Sequence, residues 1–262
     1  CNIGPFRLGG LIQSFAAMLK LVFKEDFTPS HIKYKFFFTI APIILFFCTF
    51  LTFAVIPFAD VLVIDGKENI MQAVPSELGI MWFIAFAGLS VYGIILGGYS
   101  SGSKYGLLGS IRASAQVISY EAAMGLAIIS MILSYGSIHL TEMVNAQAGT
   151  YLGVIPMWGI FIQPIAAIIF IVCAFAETNR APFDLAEGES ELVAGYHTEY
   201  SAMRFGLFQV GEYAAMSASS AIIVTLFFGG YQIPWLDTSA IQSNINYVII
   251  GIIVILPIKA YI

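Results

Sequence analysis

The chain has 262 residues, of which 59% are hydrophobic and only 10% charged, against about 25% charged in a soluble domain. With a mean hydropathy of +0.87, it has too little polar surface for a water-soluble globule. A formal net charge of -5 makes nucleic acid a poor partner, and the 3 cysteines, at 1, 48 and 173, lack the CxxC spacing of a zinc site or a disulfide framework.

What remains is a polytopic membrane protein. The sequence opens on Cys1 with no initiator Met and no signal peptide, and it stops inside an apolar run. This predicts a fragment that lacks something at both ends. Residues 8–25, LGGLIQSFAAMLKLVFKE, are apolar but too short to span a bilayer. Gln13, Ala17, Lys20 and Lys24 share one helical face, and Leu11, Phe15, Leu19, Val22 and Phe23 cover the rest. The pattern fits an amphipathic helix lying along the membrane surface, or a half-buried connector between spans.

Six apolar runs follow, at 36–59, 79–99, 110–134, 152–176, 205–229 and 245–262. Their length and lack of alternation favour helices over barrel strands. Prolines 42, 57, 156, 164 and 257 lie in or at the ends of these runs, where neighbouring helices can satisfy the freed carbonyls. Arg7, Lys20, Lys24, Lys33 and Lys35 precede the first run. Lys104 and Arg112 mark the turn between the second and third, and Arg180 and Arg204 lie between the fourth and fifth. The positive-inside rule therefore places 1–35, 100–112 and 177–204 in the cytoplasm and 60–78, 135–151 and 230–244 on the opposite side. The predicted fold is all-α: one membrane domain over 1–262, a bundle of six transmembrane helices with an interfacial helix and a structured acidic cytoplasmic loop. No internal repeat is visible.

Carboxylates inside membrane spans are expensive, and function is their default reading. Glu121 lies in the third run and Glu212 in the fifth, each about two turns from the cytoplasmic end of its span. The plainer alternative is a carboxylate hydrogen-bonded to Ser or Tyr as packing glue. The loop after the fourth run, AETNRAPFDLAEGESELVAGYHTEYSAMRF, carries Glu177, Asp184, Glu187, Glu189, Glu191 and Glu199 against Arg180 and Arg204. If 186–200 is helical, Glu187, Glu191, Gly195 and Glu199 stack one turn apart. Like charges so close raise each other's proton affinity, so the cluster could hold or pass protons near neutral pH. The alternative is a solvated acidic face, although Leu185, Leu192, Val193, Tyr196 and Tyr200 interleave it.

The stretch ETNRAPFDLAEGESELVAGYHTEYSAMRFGLFQVGEY closely resembles the signature of the H-subunit family of proton-pumping NADH:quinone oxidoreductase, respiratory complex I. LGGLIQSFAAMLKLVFKEDFTP and SKYGLLGSIRASAQVISYE are similar to two further segments of that family, so the resemblance covers nearly the whole chain. It implies an eight-helix fold of which the first and last helices are missing here. It also implies a place in the membrane arm, beside other membrane subunits and beneath the peripheral electron-transfer arm. There the protein would form part of the quinone chamber and the start of a proton-coupling path. Quinone would be the substrate, with no iron–sulfur cluster or flavin carried by this chain, and in a bacterium the location would be the inner membrane. By position, Glu121, Glu177, Asp184, Glu187, Glu189, Glu191, Glu199 and Glu212 match the family's coupling acids. Arg7, Phe15, Arg112 and Arg180 are candidates for quinone contact or structural pairing. One departure touches Arg7: the family pattern GPxRxGPxGLLQ is shortened here to GPFRLGGLIQ.

Three other classes compete. The homologous anchor of a membrane-bound hydrogenase shares the scaffold, and a neighbouring gene for a nickel–iron protein would reveal it. A stand-alone ion transporter predicts inverted repeats and unwound midplane helices. A purely structural anchor leaves Glu121 and Glu212 without a purpose.

Overall fold

The computed structural model describes residue 16 and residues 19–59, 61–64, 67–70, 72–151, 155–179, 183–184 and 195–232. The sixth predicted span and most of the 8–25 helix fall outside the described residues, as do Arg7, Phe15, Arg180, Glu187, Glu189 and Glu191. Within the described part of 8–25, residues 19–23 are helical.

Four described helices are long and apolar enough to cross a membrane: α1 (Lys35–Phe53), α2 (Gly79–Ser100), α3 (Lys104–Tyr135) and α7 (Ala202–Phe227). Helix α1 stops short of the predicted residue 59, because the residue before a proline is pushed out of the helical region and Pro57 lies just ahead. Helix α3 starts at Lys104 rather than at 110, which reduces the predicted loop 100–112 to the three residues 101–103. At 32 residues it is about 48 Å long, well beyond a hydrocarbon core of about 30 Å.

The fourth predicted span is broken. A one-turn helix α5 (Gly159–Ile162) ends at Gln163, whose φ of -134° and ψ of 68° lie outside the helical region. Helix α6 (Pro164–Glu177) then starts with proline at its first position. Pro164 has no N–H and restricts the residue before it, so the chain turns at Gln163 instead of continuing. The 14 residues of α6 reach about 21 Å, shorter than a full span.

Two short hairpins accompany the helices of this all-α fold. β1 (Val61–Ile64) pairs antiparallel with β2 (Lys67–Ile70), and β3 (Thr150–Tyr151) with β4 (Ile155–Pro156). Both hairpins connect helices, and the second follows the short helix α4 (Leu140–Ala146).

Helix α7 is the most buried of the four. Its apolar window is 61% buried, against 28% for α3, although its mean hydropathy is the lowest of the four at 1.4. In a bilayer the lipid-facing helices need the apolar surface, and the central one can carry polar groups that meet other helices. Leu126, Ile129 and Leu133 of α3 and Ile165, Ile168 and Val172 of α6 are accordingly exposed.

The buried residues form two main clusters. One holds Ile32, Phe38, Leu45, Ile94, Tyr196, Tyr200 and Phe208, near the end where α1, α3 and α7 begin and α2 stops. The other holds Val55, Phe83, Met124, Met131, Leu140, Phe170 and Phe227, toward the opposite end. The intramembrane acids lie between them.

Candidate functional site: a line of acids between two cores

Helix α7 places Glu212 ten residues after its first residue, Ala202, a depth of about 15 Å. Glu121 lies seventeen residues after Lys104, the first residue of α3, about 26 Å along the helix. Both are deeper than the two turns expected, because the helices start earlier than the apolar runs. Gly88 of α2 makes room for the Glu121 carboxylate: a Cβ there would lie 2.5 Å from its Oε1.

The acidic loop reaches Glu212 through a residue that the acid pattern did not mark. Tyr196, fully buried in the 3-10 turn Gly195–His197, donates its hydroxyl proton to Glu212 Oε1. Phe208 and His197 meet its ring edge-on. The turn is pressed onto α3: a Cβ on Gly109 would come within 2.8 Å of the Gly195 backbone, and Gly195 itself has a φ of +61°. Only glycine adopts that conformation without strain. A continuous helix over 186–200 is therefore absent at 195–200, and the predicted stack of Glu187, Glu191, Gly195 and Glu199 does not extend through this half.

One turn past Glu212, Ala215 begins the wall of a cavity of about 40 Å³. Thr49, Thr52, Ser90, Val117, Ala218, Ser219 and Glu177 also line it. By volume it can hold on the order of three waters, at roughly 10–15 Å³ for each. Thr49, Thr52 and Ser90 donate their hydroxyl protons to carbonyls of their own helices, which leaves oxygen lone pairs as acceptors. Glu177 Oε2 is buried and has no hydrogen-bond partner among the described residues. Glu121 lies within electrostatic reach of Glu177, and Val117 of the cavity wall lies one turn before Glu121 on α3.

The other predicted site residues that are described lie apart. Glu199 is near the surface with Oε2 3.8 Å from His31 Nε2, and that ring nitrogen is 3.1 Å from Ser101 O. Asp184 and Arg112 are exposed. Arg204, predicted only as a loop charge, pairs with Asp26 at 2.9 Å, donates to Thr28 Oγ1 at 2.9 Å and sits 5.3 Å above the Phe38 ring. It pins residues 26–28 onto the start of α7. Phe38 in turn stacks on Tyr200 at 4.0 Å. Burial pushes the Tyr200 hydroxyl up to about 12, against weaker pulls from Ser100 and the Arg204 charge.

Tyr196 and Gln116 carry weaker versions of the signal that marked the acids. Gln116 is an amide in the same apolar run as Glu121, and Tyr196 sits within the acidic loop. Neither is charged, so the cost of burial that singles out a carboxylate does not single them out.

Apolar spanning helices around inward-facing acids define a membrane protein with ionisable groups inside the bilayer. The family model described as NADH dehydrogenase matches residues 2–262, and the chain belongs to that family. Among its relatives, the H subunit of NADH-quinone oxidoreductase from Flavobacterium psychrophilum is 43% identical over 94% of this chain and 70% of its own length. An H subunit of the enzyme of the same name in Geobacter metallireducens is 46% identical, over 89% of this chain and 69% of its own. The Rhodothermus marinus protein named NADH-quinone oxidoreductase subunit 8 is 48% identical, over 89% of this chain and 66% of its own.

Proposed function

We propose that this chain is the membrane component of a proton-pumping NADH:quinone oxidoreductase that forms part of the quinone chamber and the first stretch of the proton-coupling path. The names of the relatives support the enzyme. The observation that carries the coupling role is the succession from the loop inward: Tyr196 on Glu212, then the cavity whose wall begins one turn past Glu212 and includes Glu177, with Glu121 within electrostatic reach.

In this reading electrons arrive from a centre in the peripheral arm, and no redox centre belongs to this chain. Quinone enters from the bilayer near the segment before α1, which Asp26 and Thr28 fasten to Arg204 on α7. Its reduction takes up two protons and creates transient negative charge. The loop acids near that charge change protonation, and the Tyr196 hydroxyl relays the change to Glu212. Waters in the cavity, bonded to the lone pairs of Thr49, Thr52, Ser90 and Ser219, would join Glu212 to Glu177 and so to Glu121. The residues 19–35, 101–103 and 195–201 face the cytoplasm, and other membrane-arm subunits cover part of the outer surface.

Glutamine keeps the size and hydrogen-bonding capacity of glutamate but cannot act as an acid. Glu212→Gln should leave the complex assembled while quinone-dependent turnover and proton translocation fall together, and Glu212→Asp should keep part of both. The measurement is NADH-to-quinone electron flow and proton uptake in membranes carrying each variant with its partner subunits. Wild-type values of both in the Gln variant would make Glu212 structural and overturn the reading.

A further inference from the structure

We infer that Gln116 is the positioning residue of Glu177, an inference that rests on the coupling role proposed above. The side-chain amide of Gln116 on α3 donates from Nε2 to Ala176 O at 2.9 Å and to Phe183 O at 2.8 Å, with Asn179 Oδ1 at 3.3 Å as a third, longer contact. Ala176 immediately precedes Glu177. Its carbonyl is one of the last four in α6, which have no partner within their own helix. The backbone N–H of Asn179 also donates to it, at 3.4 Å.

Helix α6 ends through Asn179, whose φ of +49° turns the chain out of the helix. Phe183, on the far side of that turn, is held a second time by α3, since its ring meets Tyr120 edge-on at 5.5 Å. Gln116 and Tyr120 are one helical turn apart, and Glu121 follows directly. One face of α3 thus holds the end of α6 and the residues after it, while Glu121, the next residue, lies against Gly88 of α2. The Gln116 amide is the part of that face bonded to the backbone next to Glu177. It fixes the last turn of α6 so that the Glu177 carboxylate lines the cavity. Without it, the Ala176 and Phe183 carbonyls each lose a donor, the end of α6 is free to unwind and Glu177 leaves its place in the cavity wall.

The test is a double-mutant cycle in membranes that hold the assembled complex. Gln116→Met keeps side-chain length and apolar packing but removes both donors. Gln116→Leu, which also removes both donors and adds no charge, is the second variant if Met impairs assembly. Each is measured alone and together with Glu177→Gln, as quinone-reductase turnover per complex, with NADH oxidation by a water-soluble acceptor counting the complexes. Gln116→Met is expected to lower turnover on the order of tenfold, within the range that contacts between neighbouring residues reach. In the Glu177→Gln background it is expected to have no further effect, because its action runs through that carboxylate. A purely structural residue would lower the number of complexes, not the turnover of each. Multiplied losses in the double variant, or wild-type turnover in Gln116→Met, overturn the inference and leave the coupling reading standing. Wild-type turnover in Glu177→Gln overturns the placing of Glu177 in the coupling path, and the inference with it.

Discussion

Among the described residues, the Tyr196 hydroxyl joins the loop to the membrane interior. It donates to Glu212 while the ring is fully buried against Phe208 and His197. Phenylalanine keeps the ring and its packing and deletes only the donor. A hydrogen bond to a charged group contributes about 1.5–3 kcal/mol, which corresponds to roughly ten- to a hundredfold in a rate that depends on it. Tyr196→Phe should therefore assemble normally and slow quinone-dependent turnover within that range, measured per assembled complex. Unchanged turnover would mean that the loop influences Glu212 through some other contact. At this scale the sequence is legible where a residue is costly. A carboxylate in an apolar run stands out, so Glu121 and Glu212 can be read directly, and the structure sets both inward. Tyr196 and Gln116 are ordinary residues whose roles depend on what lies beside them: a 3-10 turn pressed on Gly109 in one case and the end of α6 in the other. Neither neighbour is adjacent in sequence.

At the scale of elements, the runs themselves are legible and their ends are not. Four predicted spans correspond to α1, α2, α3 and α7, because about 20 apolar residues have few alternatives to a helix. The boundaries shift where polar residues continue a helix beyond the apolar run, as from Lys104 to Gly109, and where a proline divides one, as at Gln163–Pro164. The broken span needs a fastening, and Gln147 supplies it. This buried amide donates to Met143 O and Thr225 O, and its Oε1 accepts from the N–H groups of Gly159 and Gly229. It thus ties α4, the start of α5 and the end of α7 together. Gln147→Leu fills similar space but leaves the Gly159 and Gly229 donors and the Thr225 acceptor without this partner. An unsatisfied buried group costs about 1–3 kcal/mol. We expect Gln147→Leu to lower the thermal stability of the purified assembly by more than a conservative apolar change such as Leu140→Met does, read from unfolding curves in one detergent. Equal midpoints would show that water or backbone adjustment replaces the amide.

For the whole molecule, the sidedness of the bundle follows from packing as well as from charge. The end of α2 meets the start of α7 and the region of Tyr200 at Gly97, and it meets the start of α3 at Gly98, where added Cβ atoms would touch Phe208 and Ser110. The 3-10 turn lies on Gly109 at the same end. At the opposite end, Gly79 lies against Val55 and Leu140, and Gly230 against Val144. These close approaches gather residues 101–103 and 195–201 on one side and the α4 region on the other, without reference to any charge. Lys33, Lys35, Lys104 and Arg204 all belong to the first end, and in the proposed reading the positive-inside rule assigns that end to the cytoplasm. Packing and charge thus agree on the grouping, and charge alone selects the direction. Single cysteines at the exposed positions Lys104 and Asp184, and at Ala73 and Glu142, separate the two contributions. In sealed inside-out vesicles an impermeant thiol reagent should reach 104 and 184, and in intact spheroplasts it should reach 73 and 142. The same grouping with the sides exchanged would preserve the helix packing but reverse the orientation, and the acidic loop would then face away from a cytoplasmic electron-transfer arm. Labelling of 104 and 142 from one side would contradict the packing itself, since α3 would then fail to cross the bilayer and Glu121 would no longer be an intramembrane acid.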